Sequence, residues 1–288
     1  MNIAFFGTPD LALPVLDTLV TNDYRPSLVV TAPDRPAGRK QILTPSPVKV
    51  WATAQQIPVW QPESLKDISD SPLHSSDWDL FVVFAYGNIL PSEIINLPKY
   101  GTVNLHPSLL PNLRGPSPIR SAILTDQRTT GITIMLMDEK MDHGPILSQE
   151  VVTIPEEQWP LAGPELDVRL IKTGAELLVH TLPRYITNEI EPQEQDHERA
   201  TYCTKITKSM GELSIDPRAL PSGAAAYKAL LKIRAFSDWP GTFFFYNNKR
   251  VKIIEADISD QEILQIHTVL PEGKNAVPLD RFLNNFSS

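Results

Sequence analysis

Thr102–Ile119 reads TVNLHPSLLPNLRGPSPI. It begins as a strand and turns, after His106, into a proline-punctuated loop. Asn104 and His106 are two residues apart, and side chains alternate along a strand with a period of two, so the amide and the imidazole share one face. Placing two polar groups on a half-buried face costs free energy unless each finds a partner. The spacing admits two readings: a buried histidine satisfied by its neighbouring amide, or a polar pair presented at a strand end for chemistry. In the second reading the amide donates to a developing oxyanion, and the imidazole exchanges protons near neutrality.

The flanking sequence places this strand in an alternating α/β pattern. Apolar runs at Ile3–Phe6, Leu28–Thr31, Leu80–Phe84 and Val103–Leu105 predict strands, and Leu11–Val20, Pro47–Gln56, Ser92–Leu97 and Pro118–Leu124 predict helices between them. Ser46 followed by Pro47 is a helix start signal. Such alternation implies a mostly parallel, Rossmann-like sheet with right-handed crossovers. Two more strands, Ile132–Met137 and Ile146–Ile154, flank the turn DEKMDHG, and Leu161–Tyr185 forms a long helical pattern. A polar, irregular stretch follows, then a helix over Ser222–Phe236 and a hairpin turning at Tyr246–Lys249, where Asn-Asn suits positive φ. The expected organisation is a catalytic α/β domain over 1–194, a linker over 195–210 and a small β-rich domain over 211–288.

The chain has 288 residues, 42% of them hydrophobic and 21% charged, which is ordinary globular composition. One cysteine, Cys203, excludes an intramolecular disulfide and a cysteine-based zinc cluster. Met1 leads directly into an apolar strand with no basic leader, and no apolar run has the length of a membrane span, so a cytoplasmic location is expected. Net charge is −8. From Gln195 onward there are 12 basic and 11 acidic residues, leaving 14 and 23 for the preceding part. Neither part has the net charge of a basic nucleic-acid footprint.

Three further stretches bear on chemistry. FFGTPDLALP stands at the first strand-to-helix turn with Gly7 alone, too few glycines for a dinucleotide cradle. MDEKMDHGPIL puts Asp142 in a turn; it is either a turn cap or a carboxylate able to orient the His106 ring, and His143 beside it is as readily solvent-exposed. TAPDRPAGRKQILTPSPVK, from Thr31, with Arg35, Arg39 and Lys40, reads up to the Ser46 helix start as a solvated loop or as an arm meeting phosphate through charge.

Taken together, FFGTPDLALPVL, PDRPAGRK with LTPSPVK, VVFAYGNILP, VNLHPSLLPNLRGPSPI and TGITIMLMDEKMDHGPIL resemble the methionyl-tRNA formyltransferase family, with weaker likeness at KITK and IRAFSDWPGT. The SLLP and Asp-x-Gly blocks resemble the wider formyltetrahydrofolate-dependent superfamily. The resemblance implies transfer of a formyl group from 10-formyltetrahydrofolate to the α-amine of initiator methionyl-tRNA, and the expected enzyme is a monomer without metal or membrane, fully active after chelation. It also implies that Asn104, His106 and Asp142 are the catalytic set. By the same likeness Ser108, Leu109, Leu110 and Pro111 hold folate, and Tyr86, Gly87, Asn88, Ile89 and Leu90 line the pterin pocket. Arg39 would approach the tRNA acceptor end, Lys40 beside it would also bind tRNA, and Lys205 and Lys208 would add phosphate contacts. In the implied chemistry Asn104 and a protonated His106 both donate to the oxyanion, while Asp142 keeps His106 charged and helps take protons from the attacking amine.

The sequence departs from the family pattern at Met141 and His143, and in lacking a tryptophan after Ser214-Ile215-Asp216. The stretch after Asp257 is short for the family's C-terminal barrel, so a shortened, OB-like barrel is expected. Formyl transfer to a small amine such as an amino sugar, release of formate by hydrolysis, and an inactive folate- or RNA-binding module remain as alternatives.

Overall fold

The computed structural model describes residues 1–38, 40–65, 71–74 and 76–284. In chain order the first elements are β1 (Ile3–Phe6), α1 (Leu13–Thr21), β2 (Leu28–Val30), β3 (Arg35–Ala37), β4 (Ile42–Thr44), α2 (Pro47–Ala54), β5 (Val59–Trp60), β6 (Leu80–Val83), α3 (Ser92–Ile95) and β7 (Thr102–His106). There follow α4 (Pro118–Leu124), β8 (Thr129–Leu136), β9 (Ile146–Thr153), α5 (Gly163–Ile186) and α6 (Gly223–Ala235). The chain continues through β10 (Phe243–Tyr246), β11 (Lys249–Ile258), β12 (Leu264–Pro271), β13 (Val277–Pro278) and α7 (Leu279–Asn284). The described residues form two compact units: 1–116, 131–152 and 169–202 make the first, and 117–130, 153–168 and 203–284 the second.

A seven-stranded sheet runs in the order β5-β2-β1-β6-β7-β8-β9. β5, β2, β1, β6 and β7 are parallel to their neighbours, and β8 is antiparallel to β7. β1 and β6 are buried at every position, as expected of parallel strands covered on both faces. Strand order reverses between β1 and β6, so carboxyl ends of strands on either side of that point open onto the crevice where such sheets receive ligands. On β7, Val103 and Leu105 are buried. Gly174 lets α5 approach this strand: a Cβ there would stand 3.0 Å from Leu105 and 3.1 Å from Ile132. The expected Ser46 cap forms, its hydroxyl accepting from the Lys49 N–H at 3.0 Å.

Residues 31–46, read from sequence as a loop, contain a short antiparallel ribbon of β3 and β4. Three-residue, fully exposed strands carrying Pro36 have too little period-two pattern to be seen in sequence. Ile42 and Leu43 are exposed on this ribbon.

In the second unit, β10-β11-β12-β13 form a four-stranded antiparallel sheet, and the expected shortened barrel is this open sheet. Its first hairpin turns on Asn247 and Asn248 at φ 49° and 60°, the conformation a two-residue turn of this twist requires. The apolar side of α6 and of this sheet meets in a core that includes Leu230, Ile233, Phe244, Val251 and Val269. Among the described residues no helix is long and apolar enough to cross a membrane.

Candidate active site

His106 is the last residue of β7, and Asn104 lies two residues before it on the same face. His106 is 4% exposed, whereas Asn104 is half-buried and its amide makes no hydrogen bond among the described residues. The His106 Nε2 lies 3.0 Å from the carbonyl oxygen of Leu113. A carbonyl only accepts, so Nε2 carries the hydrogen and Nδ1 is the nitrogen left to gain or lose a proton.

Nδ1 faces Asp142. The Asp142 Oδ1 is 3.6 Å away, within ion-pair reach and beyond a hydrogen bond. The other oxygen, Oδ2, accepts from the Gly115 N–H at 2.6 Å. Asp142 stands in the turn between β8 and β9 at φ 50°, a left-handed conformation that aspartate tolerates better than most residues. Gly144 is needed two residues later, because a Cβ there would collide with the Leu136 carbonyl. The structure thus brings His106 and Asp142 together from segments 36 positions apart.

The loop after His106 is fastened by two side chains that sequence reasoning missed. The Thr133 hydroxyl donates to the Ser108 carbonyl at 2.7 Å and accepts from the Leu110 N–H at 3.1 Å. Gln149 donates to the Leu110 carbonyl and to Thr133 Oγ1, both at 2.8 Å. The Ser108 hydroxyl turns inward to the Asn112 carbonyl at 2.6 Å, leaving Leu109 and Pro111 as the half-buried members. At the end of β6, Tyr86 and Leu90 pack into the core with Phe6 and Val83. Burial pushes the Tyr86 phenol above its ordinary pKa. Gly87, Asn88 and Ile89 are exposed between them, Ile89 by 79%.

Arg114, also unassigned from sequence, is 2% exposed. Its Nε and Nη2 donate to Gln195 Oε1 at 3.1 and 2.6 Å, and Nη2 donates to His197 Nδ1 at 2.9 Å. The His197 ring stacks on His143 with centroids 3.9 Å apart. His143 is half-buried rather than exposed, with Nδ1 2.6 Å from Asp138 Oδ2.

Lys40, Lys205 and Lys208 are exposed, and Arg39 lies outside the described residues. Among the described residues no group of three or more His, Cys, Asp or Glu side chains is placed to hold a metal ion.

Residues 1–181 match the family model described as formyl transferase, and 224–265 match that for its C-terminal domain. The chain belongs to the formyl transferase family. It is 42% identical to the methionyl-tRNA formyltransferase of Chloroflexus aurantiacus over 97% of this chain and 87% of that one. The methionyl-tRNA formyltransferase of Bacillus subtilis is 42% identical over 87% of this chain and 76% of its own. Among solved structures, an N-formyltransferase from Helicobacter canadensis in complex with folinic acid and dTDP-3-aminofucose aligns with a TM-score of 0.64 at 18% identity, covering 90% of this chain and 88% of that one. HypX from Aquifex aeolicus with tetrahydrofolic acid aligns with a TM-score of 0.66 at 15% identity, covering 99% of this chain and 47% of that one. At those identities the likeness is one of fold.

Proposed function

We propose that this chain transfers the formyl group of 10-formyltetrahydrofolate to the α-amine of methionyl-tRNA, giving the N-formylated initiator of translation. The observation that carries the reading is the His106–Asp142 pair at the carboxyl end of β7, in a chain 42% identical to methionyl-tRNA formyltransferases over nearly its whole length.

The arrangement supports a definite sequence of steps. The neutral amine attacks the formyl carbon, and the carbonyl oxygen becomes an oxyanion. The unengaged amide of Asn104 donates to that oxygen. Because the Nε2 hydrogen of His106 is directed at the Leu113 carbonyl, His106 would act through Nδ1. Nδ1 takes the proton that the amine sheds, and Asp142, aligned by the Gly115 N–H, stabilises the resulting imidazolium. Collapse breaks the bond to the folate N10, which receives that proton, so the products are formylated amine and tetrahydrofolate.

The cosubstrate's flat pterin fits the exposed main chain at Gly87–Ile89, which offers hydrogen-bonding groups, and the bare Ile89 side chain, which offers apolar contact. Leu109 and Pro111 would flank the folate beside it. Lys40, Lys205 and Lys208, exposed cations, would meet tRNA phosphates by charge, and Arg39 joins this proposal from sequence alone.

Tetrahydrofolate release with methionyl-tRNA, free methionine, an amino-sugar nucleotide and no acceptor tests the reading. Release that depends on methionyl-tRNA is expected; equal release with the sugar or with no acceptor overturns it. In the same assay Asn104→Ala removes one oxyanion donor and lowers kcat by about 10²–10³-fold with unchanged circular dichroism. His106→Ala is expected to abolish turnover, and wild-type rates would reject its role.

A further inference from the structure

We propose that Gln195 is a positioning residue for the Asp142 carboxylate, a role that rests on the reading of Asp142 as part of the formyl-transfer site. Gln195 is 5% exposed and uses its whole side-chain amide. Oε1 accepts twice from Arg114, at 3.1 and 2.6 Å. Nε2 donates to the backbone carbonyls of Asp142 at 3.1 Å and Gly144 at 2.8 Å. A carboxamide has two donor hydrogens and an oxygen that accepts twice, and all four capacities are engaged.

These bonds close a ring around the turn. Arg114 precedes Gly115, Gly115 holds Asp142 Oδ2, Asp142 presents its carbonyl to Gln195, and Gln195 grips Arg114. Asp142 is in the left-handed region, less populated than the right-handed one even for aspartate, and the bonds around the turn hold it there. Gly144, seated against the Leu136 carbonyl, fixes the β8 side of the turn; Gln195 fixes the other. Opening the ring frees the turn to relax and moves the carboxylate off its 3.6 Å approach to His106 Nδ1.

Gln195→Glu separates this role from mere support of a buried arginine. A carboxylate still accepts from Arg114, more strongly than the amide does, but loses both donors to the Asp142 turn. The expected result in the full chain is a Tm close to wild type, the Arg114–carboxylate pair offsetting the two stranded carbonyls, with kcat lower by about 10- to 10²-fold and KM for each substrate within about twofold. The Gly115 amide, protected by Asp142, is expected to exchange faster. Gln195→Met, apolar and of similar size, should lose Gly115 protection too. Wild-type kcat together with wild-type Gly115 protection in Gln195→Glu overturns the proposal. Amide exchange is read without substrate, so it judges Gln195 even if the wild-type chain turns out not to formylate methionyl-tRNA.

Discussion

Two arginines six positions apart, Arg114 and Arg120, are both withdrawn from water and are treated in opposite ways. Arg120, in the second unit, meets Asp167 through two bonds of 2.6 and 2.8 Å and Asp238 at 2.9 Å. Burial opposes its charge, and the two carboxylates more than offset that, holding its pKa above the ordinary arginine value. Among the described residues Arg114, in the first unit, meets neutral partners only: the Gln195 oxygen, the His197 Nδ1 and, at 3.5 Å, the Tyr202 hydroxyl. A buried cation surrounded by dipoles is a poor device for stability, because desolvation is not met by an opposite charge. The difference teaches that Arg120 belongs to the architecture, while Arg114 is explained by what its network holds in place, the Asp142 turn.

The largest expected effect tests the architectural arginine. Arg120→Met leaves the Asp167 carboxylate, 6% exposed, without its partner and should cost about 3–5 kcal/mol in urea unfolding. Turnover per folded molecule should be unchanged. A loss below about 1 kcal/mol, the range of an exposed pair, would erase the contrast. Arg114→Met should cost less, about 1–3 kcal/mol, because it strands neutral acceptors on Gln195 and His197 and no opposite charge. Its kcat should fall, since the Gln195 side chain loses its anchor. The comparison breaks if Arg114→Met unfolds the protein more readily than Arg120→Met yet retains wild-type kcat.

Legibility in the sequence follows the range of the physics involved. The alternation of strands and helices, the Ser46 cap and the Asn247-Asn248 turn are local, set by periodicity or by one residue's backbone preference, and the structure has them where the sequence puts them. The shared face of Asn104 and His106 is likewise a period-two fact. The partners that fasten the site were not legible. Gln195 reaches Arg114 across 81 positions, and Thr133 reaches Ser108 across 25. Glutamine and threonine carry no pattern that marks them as ties. Arg114 did leave a trace, the one charged residue in the loop between His106 and Pro118, but composition cannot tell a buried guanidinium from a solvated one. The direction of His106 was also hidden: which nitrogen is free depends on the Leu113 carbonyl, a backbone atom with no sequence signature.

The smallest effect sharpens the contrast from the opposite sign. Asp126, in the second unit, is a carboxylate approached by neutral donors, Trp159 Nε1 at 2.7 Å and Tyr227 Oη at 2.9 Å. Burial, and then the hydrogen bond to Asp126 and its charge, push the Tyr227 phenol up to about 12. An unfolded tyrosine titrates near 10, so the folded state favours the protonated phenol. That contribution is complete below about pH 10 and fades as pH rises towards about 12. Wild type should therefore exceed Tyr227→Phe in urea midpoint by a constant margin up to about pH 10, and the margin should shrink above it. Phenolate absorbance should show the last tyrosine to ionise missing from the variant. A margin that stays flat through pH 12, or a titration curve identical to wild type, would mean that Asp126 does not hold this proton. These two neutral donors would then be packing groups, and Arg120 with its carboxylates would remain to set against Arg114.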